Sequence, residues 1–325
     1  MLHDWLLIGL GLSLLLAGGE AMVRGAGGIG LLSRLSPAVV GLTIVAAGTS
    51  MPELVVSLKA ASEGKPGIAL GNVVGSNLFN IGFILAVTAI VRPLRIHGNS
   101  VRFEWPVMVL ASCLLTFLAW DSFLGRGEGA FLVVALVAFV GYAVWLARKN
   151  ISSIERGEFE DGVATASCGA SGAKAWAFNL AAVVGGGLLL AIGADTMVRG
   201  AVEVATELGV APTVIGLTIV AAGTSAPELV TSLVAAWRGR SDIAVTNVLG
   251  SNIFNIFGIA GATALVEPIP VPAAMIARDN WWMLGFCFLL LPLLRSGMRL
   301  TRSEGVLILA VYLTYLVVLL SESRS

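Results

Sequence analysis

The segment GLTIVAAGTSMPELVVSL, from Gly41 to Leu58, returns as GLTIVAAGTSAPELVTSL, from Gly216 to Leu233. Extended back to Pro37 and Pro212, 18 of 22 positions match at a constant offset of 175, with no gap. Each copy carries a glutamate, Glu53 or Glu228, inside an apolar run otherwise suited to spanning a membrane. An acidic side chain at a helix centre in the bilayer costs about 3 kcal/mol on translocon scales. A chain that carries this cost twice, in symmetric places, folds around a polar site at mid-membrane. Ionisable residues there serve ions or substrates by default.

The rest of the sequence agrees with a membrane setting. Only 12% of residues are charged and 57% are apolar, against about 25% charged in soluble domains. The formal net charge is zero, which gives no field for nucleic acid. Cys113, Cys168 and Cys287 are isolated, as are His3 and His97, so neither a disulfide framework nor a histidine metal site is expected. No cofactor is expected. The N-terminal run MLHDWLLIGLGLSLLLAGGEA lacks a basic leader and reads as a first span rather than a cleaved signal.

Ten apolar segments lie near 5–22, 37–60, 67–91, 103–121, 127–147, 175–195, 212–236, 242–266, 280–294 and 304–321, each near the length a helix needs to cross the hydrocarbon. The expected fold is an all-α membrane protein of ten transmembrane helices, because lipid-exposed backbone must satisfy its own hydrogen bonds. Residues 148–174 are polar and rich in Gly and Ser, a cytoplasmic linker between a first half at 1–147 and a second at 175–325. With the N-terminus outside, 14 Lys and Arg fall in cytoplasmic joints and 6 in outer ones. The positive-inside rule then puts both termini outside. Five spans per half is an odd number, so the second half enters the membrane inverted, an architecture of secondary transporters. The repeat extends further: AMVRGA (21–26) returns as TMVRGA (196–201), and GNVVGSNLFNI (71–81) as TNVLGSNIFNI (246–256).

The motif is rich in oxygen. Pro52 and Pro227 have no N–H and clash with the carbonyls of Gly48 and Gly223, so both helices should bend and free carbonyls nearby. Thr49, Ser50 and Glu53 add side-chain oxygens within about one turn, as do Thr224, Ser225 and Glu228. The GSNxFN segments add Ser76, Asn77 and Asn80, and Ser251, Asn252 and Asn255. Hydroxyl, amide, carbonyl and carboxylate oxygens without nitrogen or sulfur suit Ca²⁺ or Na⁺ and disfavour soft metals. A lone Ser, Thr or Pro in a membrane helix often only packs or back-bonds. The buried glutamates are harder to explain that way. No His or Lys stands in either motif to activate a serine, so an enzyme is not expected.

The paired GTSxPE and GSNxFN segments resemble the alpha-repeats of the cation/calcium exchanger superfamily, most closely those of prokaryotic sodium/calcium exchangers. The resemblance spans essentially the whole chain. It implies a central core of spans 2, 3, 7 and 8. It implies ion ligands at Ala46, Thr49, Ser50, Glu53, Ser76 and Asn80, and at Ala221, Thr224, Ser225, Glu228, Ser251 and Asn255, the alanines acting through their carbonyls. The implied activity is exchange of Ca²⁺ for Na⁺ across a bacterial inner membrane, with the two ions and the lipid bilayer as partners; exchange against H⁺ is the alternative. Two positions depart from the family. Many sodium-coupled members carry aspartate where this chain has Asn255. Proton-coupled members commonly carry a GNxxEH-type motif where this chain has GNVVGSN.

Overall fold

The apolar runs fold as helices that carry their backbone hydrogen bonds internally. The computed structural model describes residues 2–64, 66–96, 98, 100–149, 172–208 and 221–322. Most of the linker (150–171), the approach to the second motif (209–220), His97 and Cys168 lie outside the described residues. In chain order the elements begin with α1 (Leu2–Ser33), α2 (Pro37–Thr49), α3 (Met51–Ser62), α4 (Gly67–Val91) and β1 (Leu94–Arg95). Next come α5 (Ser100–Leu118), β2 (Phe123–Leu124), α6 (Arg126–Lys149) and α7 (Ala173–Glu207). The second motif gives α8 (Ala221–Thr224) and α9 (Ala226–Trp237). They are followed by α10 (Ser241–Val266), β3 (Ile269–Pro270), α11 (Asn280–Arg295), β4 (Arg299–Leu300) and α12 (Arg302–Glu322).

Among the described residues, seven helices are long and apolar enough to cross a membrane, eight if α2 and α3 count as one bent span. Of the two remaining sequence segments, 212–236 begins outside the described residues, and 280–294 is the 16-residue α11. The bend expected at the motif proline is present: α2 and α3 meet at 43°. The break falls at Ser50, with φ −84° and ψ 7°, and at Ser225, with φ −91° and ψ 8°. These are bridge-region conformations, which interrupt a helix without reversing it.

Burial sorts the helices into centre and rim. In α10, 94% of the most apolar window is buried within the protein, and in α4 72%, whereas α6 and α12 each bury 22%. The two GSNxFN helices are therefore the core, and α6 and α12 turn apolar side chains such as Val137 and Val317 outward, as a lipid-facing helix must.

The first helix of each half packs antiparallel on the other through glycines spaced by seven. Gly11 lies against the backbone of Gly193, Gly18 against Gly186, and Gly25 against Asn179. A Cβ on Gly18 would sit 2.8 Å from the Gly186 carbonyl oxygen and 2.8 Å from the Leu190 nitrogen, so only glycine permits this approach. Small residues bring helices together in membranes, where no hydrophobic force does so.

Two short strand pairs tie the loops. Leu94 and Arg95 of β1 pair antiparallel with Leu300 and Arg299 of β4, and Phe123 and Leu124 of β2 pair with Pro270 and Ile269 of β3. β3 follows β1 by the repeat offset of 175, and β4 follows β2 by 176. Each pair thus joins one half to the other, and α5 separates β1 from β2 by a full span.

Candidate cation site at the helix breaks

The break in each motif helix aims its serine across the pseudo-symmetric core. Ser50 Oγ donates to Glu228 Oε1 at 2.8 Å, and Ser225 Oγ donates to Glu53 Oε1 at 3.0 Å. Ser225 Oγ also lies 3.5 Å from Ser76 Oγ. Each carboxylate is thus held by the hydroxyl of the other half, and each keeps its second oxygen, Oε2, buried and unpaired. Both glutamates are 1% exposed. Among the described residues no Lys, Arg or His forms an ion pair with either.

The asparagines form a second exchanged set. Asn77 Nδ2 donates to the Asn252 carbonyl and Asn252 Nδ2 to the Asn77 carbonyl, both at 3.3 Å. The same two nitrogens touch Met283 Sδ and Met108 Sδ, each at 3.7 Å. Asn80 Nδ2 donates to Asn252 Oδ1 at 3.0 Å, and Asn255 Nδ2 to Asn77 Oδ1 at 3.1 Å. With their amide hydrogens engaged, Asn80 and Asn255 leave Oδ1 buried without a partner. Each of these two residues opens a π-helical turn, Asn80–Leu85 and Asn255–Ala260. Such i→i+5 turns shift the helical phase and recur at functional sites.

Two pairs of positions act as supports. Asn72 Nδ2 donates to Ser57 Oγ at 3.0 Å and to the Glu53 carbonyl at 3.3 Å. Asn247 Nδ2 donates to Ser232 Oγ at 3.0 Å and to the Glu228 carbonyl at 3.5 Å. These contacts pin the glutamate turns to α4 and α10. Asn72 and Asn247 lie inside GNVVGSN and TNVLGSN, and Ser57 and Ser232 inside the two longer repeat segments, but none of the four was among the expected ligands. Their signal was there: all four recur at the offset of 175.

The other expected ligands fall as follows. Ser251 is fully buried with Oγ unpaired, and Ser76 is buried beside Ser225. Thr49 is buried; its Oγ1 donates to the Ala46 carbonyl at 3.3 Å and lies 3.4 Å from Asn247 Oδ1. The Ala46 carbonyl also accepts the Ser50 N–H at 3.0 Å, so Ala46 would bind an ion only if Thr49 turned away. Ala221 and Thr224 bound the short helix α8, and Thr224 is half-buried.

Among the expected ligands, five buried oxygens thus lack a donor: Glu53 Oε2, Glu228 Oε2, Asn80 Oδ1, Asn255 Oδ1 and Ser251 Oγ. Unpaired buried acceptors are costly. Carboxylate and amide oxygens of this kind are natural ligands of a hard cation. No group of three His, Cys, Asp or Glu able to hold a metal occurs among the described residues. The donors in the two motifs are oxygens, which suit a hard ion better than a soft metal.

Comparison with known proteins gives a consistent picture. The family described as "Sodium/calcium exchanger protein" matches residues 3–145 and 178–321. The chain is 34% identical to the putative antiporter CaxA of Alkalimonas amylolytica, over 99% of this chain and 100% of that protein. It is 32% identical to the sodium/calcium exchanger MaX1 of Methanosarcina acetivorans, over 97% and 98% of the two chains. Among solved structures it superposes on the sodium-calcium exchanger NCX_Mj, soaked with zero Na⁺ and Ca²⁺, with a TM-score of 0.81 and 30% identity. That match covers 97% of this chain and 98% of the other.

Proposed function

The chain belongs to the sodium/calcium exchanger protein family, and from that premise we propose that it is a secondary antiporter exchanging Ca²⁺ for Na⁺ by alternating access. The observation that carries this reading is the exchanged pair, Ser50 on Glu228 and Ser225 on Glu53, with one free oxygen on each carboxylate. Ca²⁺ binds at Glu53 and Glu228 directly. The remaining ligands come from Thr49, Ser50, Ser76, Asn80, Thr224, Ser225, Ser251 and Asn255, and from the carbonyls of Ala46 and Ala221.

The proposed architecture is ten spans in two inverted halves, 1–147 and 175–325, joined by a cytoplasmic linker at 148–174. Two observations support the inversion. Glycines carry α1 and α7 past one another antiparallel. The strand β1 and its repeat equivalent β3 also pair at opposite ends of α5, through β4 and β2. Both termini lie outside by the basic residues of the joints, in what we take to be a bacterial inner membrane.

Emptied, the site exposes two anions with no basic partner, a penalty of several kcal/mol at mid-membrane. Filled by Ca²⁺ or by monovalent cations it is neutralised. An empty carrier therefore changes sides rarely, which is what makes it an exchanger and not a leak. The test is ⁴⁵Ca²⁺ uptake into proteoliposomes under separately imposed gradients. An outward-directed Na⁺ gradient drives uptake, and a pH gradient in sodium-free buffer drives little. Equal uptake under the pH gradient transfers the assignment to Ca²⁺/H⁺ exchange, and uptake without any counter-ion identifies a channel.

A further inference from the structure

The internal symmetry breaks down in its charges. Around the joint between α9 and α10, four arginines meet. Arg92, at the end of α4, donates to the Trp237 carbonyl at 2.5 Å. Arg238 binds Glu20 of α1 through Nε at 3.0 Å, Arg24 binds the same carboxylate, and Arg240 Nη1 donates to the Val23 carbonyl at 3.1 Å. Arg24 and Arg238 thus share the Glu20 carboxylate, while Arg92 and Arg240 are held by backbone carbonyls; with Asp242 beside Arg240, four guanidinium groups face two carboxylates.

At two of the four repeat-equivalent positions the sign reverses. Arg92 becomes Glu267 and Arg238 becomes Glu63, whereas Arg24 and Arg240 keep their charge in Arg199 and Lys65, and Glu20 remains acidic as Asp195. The contacts differ as well. Asp195 pairs with Arg199 as Glu20 does with Arg24, but where Arg238 faces Glu20 the equivalent positions hold two acids, Glu63 and Asp195, and Glu63 lies 3.9 Å from Lys59. The arginine cluster is therefore a feature of one face, built from three separate elements.

It is also reachable. The side chains of Arg24 and Arg238 are 67% and 52% exposed. Trp237, which bears the carbonyl that Arg92 holds, is 74% exposed, and Val91 is 46% exposed beside Arg92. Tryptophan at the end of a membrane helix marks the headgroup level. An excess of guanidinium donors there, with apolar side chains alongside, matches a phosphate diester that carries acyl chains.

We propose that Arg24, Arg92, Arg238 and Arg240 bind the phosphate headgroup of an anionic phospholipid at this face. The proposal rests on the membrane reading given above, though not on which ions are exchanged. A bound headgroup links α1, the end of α4 and the α9–α10 joint, and so braces the first helix against both motif-bearing regions.

The test is native mass spectrometry of the full-length protein released from equimolar phosphatidylglycerol and phosphatidylcholine. The expected result is selective retention of phosphatidylglycerol. The double variant Arg92→Gln/Arg240→Gln leaves the Arg238–Glu20 pair intact and should lower that preference about fivefold for each arginine removed. Arg92→Lys/Arg240→Lys should keep most of it, and Arg199→Gln on the opposite face should not change it. Should the Gln variant not fold, thermal melting of the unmodified protein serves: phosphatidylglycerol in nanodiscs should raise its melting temperature over phosphatidylcholine alone. Equal retention of the two lipids overturns the proposal. So does a preference untouched by the Gln substitutions, which leaves the arginines a purely topological role. Displacement of the lipid by millimolar inorganic phosphate also overturns it, by assigning the site to a soluble phosphate. Calcium exchange is measured on the same preparations. Protein that retains phosphatidylglycerol but exchanges no calcium leaves this site standing and sinks the transport reading.

Discussion

Ser50 Oγ and Glu228 Oε1 lie 2.8 Å apart although 178 residues separate them in the chain. Ser225 and Glu53 repeat the contact at 3.0 Å. Each half of the molecule thus orients the other's carboxylate. The consequence for mutation is that a serine in one repeat should damage the glutamate of the other.

The glutamates themselves come first. Glu53→Gln or Glu228→Gln keeps the shape and removes one of two charges facing a divalent ion. Breaking a buried ion–charge pairing costs about 3–5 kcal/mol, so Ca²⁺ exchange in proteoliposomes should fall about a hundredfold or more for either variant. Both should still insert and purify. Near-normal uptake would remove that glutamate from the site.

Ser50→Ala should act more mildly and through Glu228. A hydrogen bond to a charged group contributes about 1.5–3 kcal/mol, so the apparent Ca²⁺ affinity should weaken about tenfold. The double variant Ser50→Ala/Glu228→Ala should lose less than the sum of the two single losses, because the part of the Ser50 effect that runs through Glu228 is then already gone. Additive losses in that pair would show that Ser50 acts independently of Glu228.

Topology is testable at the ends of the two motif helices. Ser62 ends α3 and Ser241 begins α10. Inverted halves put the first outside and the second in the cytoplasm. In a background lacking the three native cysteines, Ser62→Cys and Ser241→Cys should react with an impermeant thiol reagent from opposite sides. Reaction from one side ends the inverted-repeat reading.

How much of this was legible in the sequence depends on whether a feature was local. Glu53, Glu228 and the hydroxyls beside them stood out because each lies within one turn of a proline and returns at the same offset. The bend itself follows from Pro52, so the break at Ser50 was readable. The exchange of hydrogen bonds was not: that Asn77 meets Asn252, and Asn80 meets Asn252 Oδ1, depends on how α4 crosses α10. Gly11, Gly18 and Gly25 show a spacing of seven in the sequence, matched by Gly186, Gly193 and Gly200. Without the antiparallel register that sets Gly18 against Gly186, that spacing reads as ordinary membrane-helix glycine.

That register gives a prediction about stability. Gly18→Val would drive its side chain into the backbone of Gly186 and Leu190. Overpacking of this kind costs about 1–3 kcal/mol, so the melting temperature in detergent should fall by several degrees. Gly185→Ala, next to that contact but with nothing within 4 Å of its Cβ, should be neutral or slightly stabilising, since alanine favours helix by about 1 kcal/mol over glycine. Equal behaviour of the two variants would mean that α1 and α7 do not pack through this glycine face.

The last prediction concerns charge. With Asn80 and Asn255 neutral, Glu53 and Glu228 are the carboxylates of the site, and one Ca²⁺ or two Na⁺ balance them. Transit in either form then moves no net charge through the membrane. Exchange should be electroneutral: a K⁺ diffusion potential set with valinomycin should change the initial rate of Na⁺-driven Ca²⁺ uptake by less than about twofold. Each unit charge moved across 100 mV is worth about 2.3 kcal/mol, so a charged transit step would respond far more steeply. Asn255→Asp tests the same count from the other side. It adds a carboxylate where Asn255 Oδ1 is already unpaired, leaves the Ca²⁺-loaded site with one negative charge, and calls for a third monovalent cation on the return. Uptake by that variant should become dependent on the imposed potential. A strong voltage dependence in the unmodified protein would mean that a further charged group travels with the ions, and that two carboxylates do not account for the site.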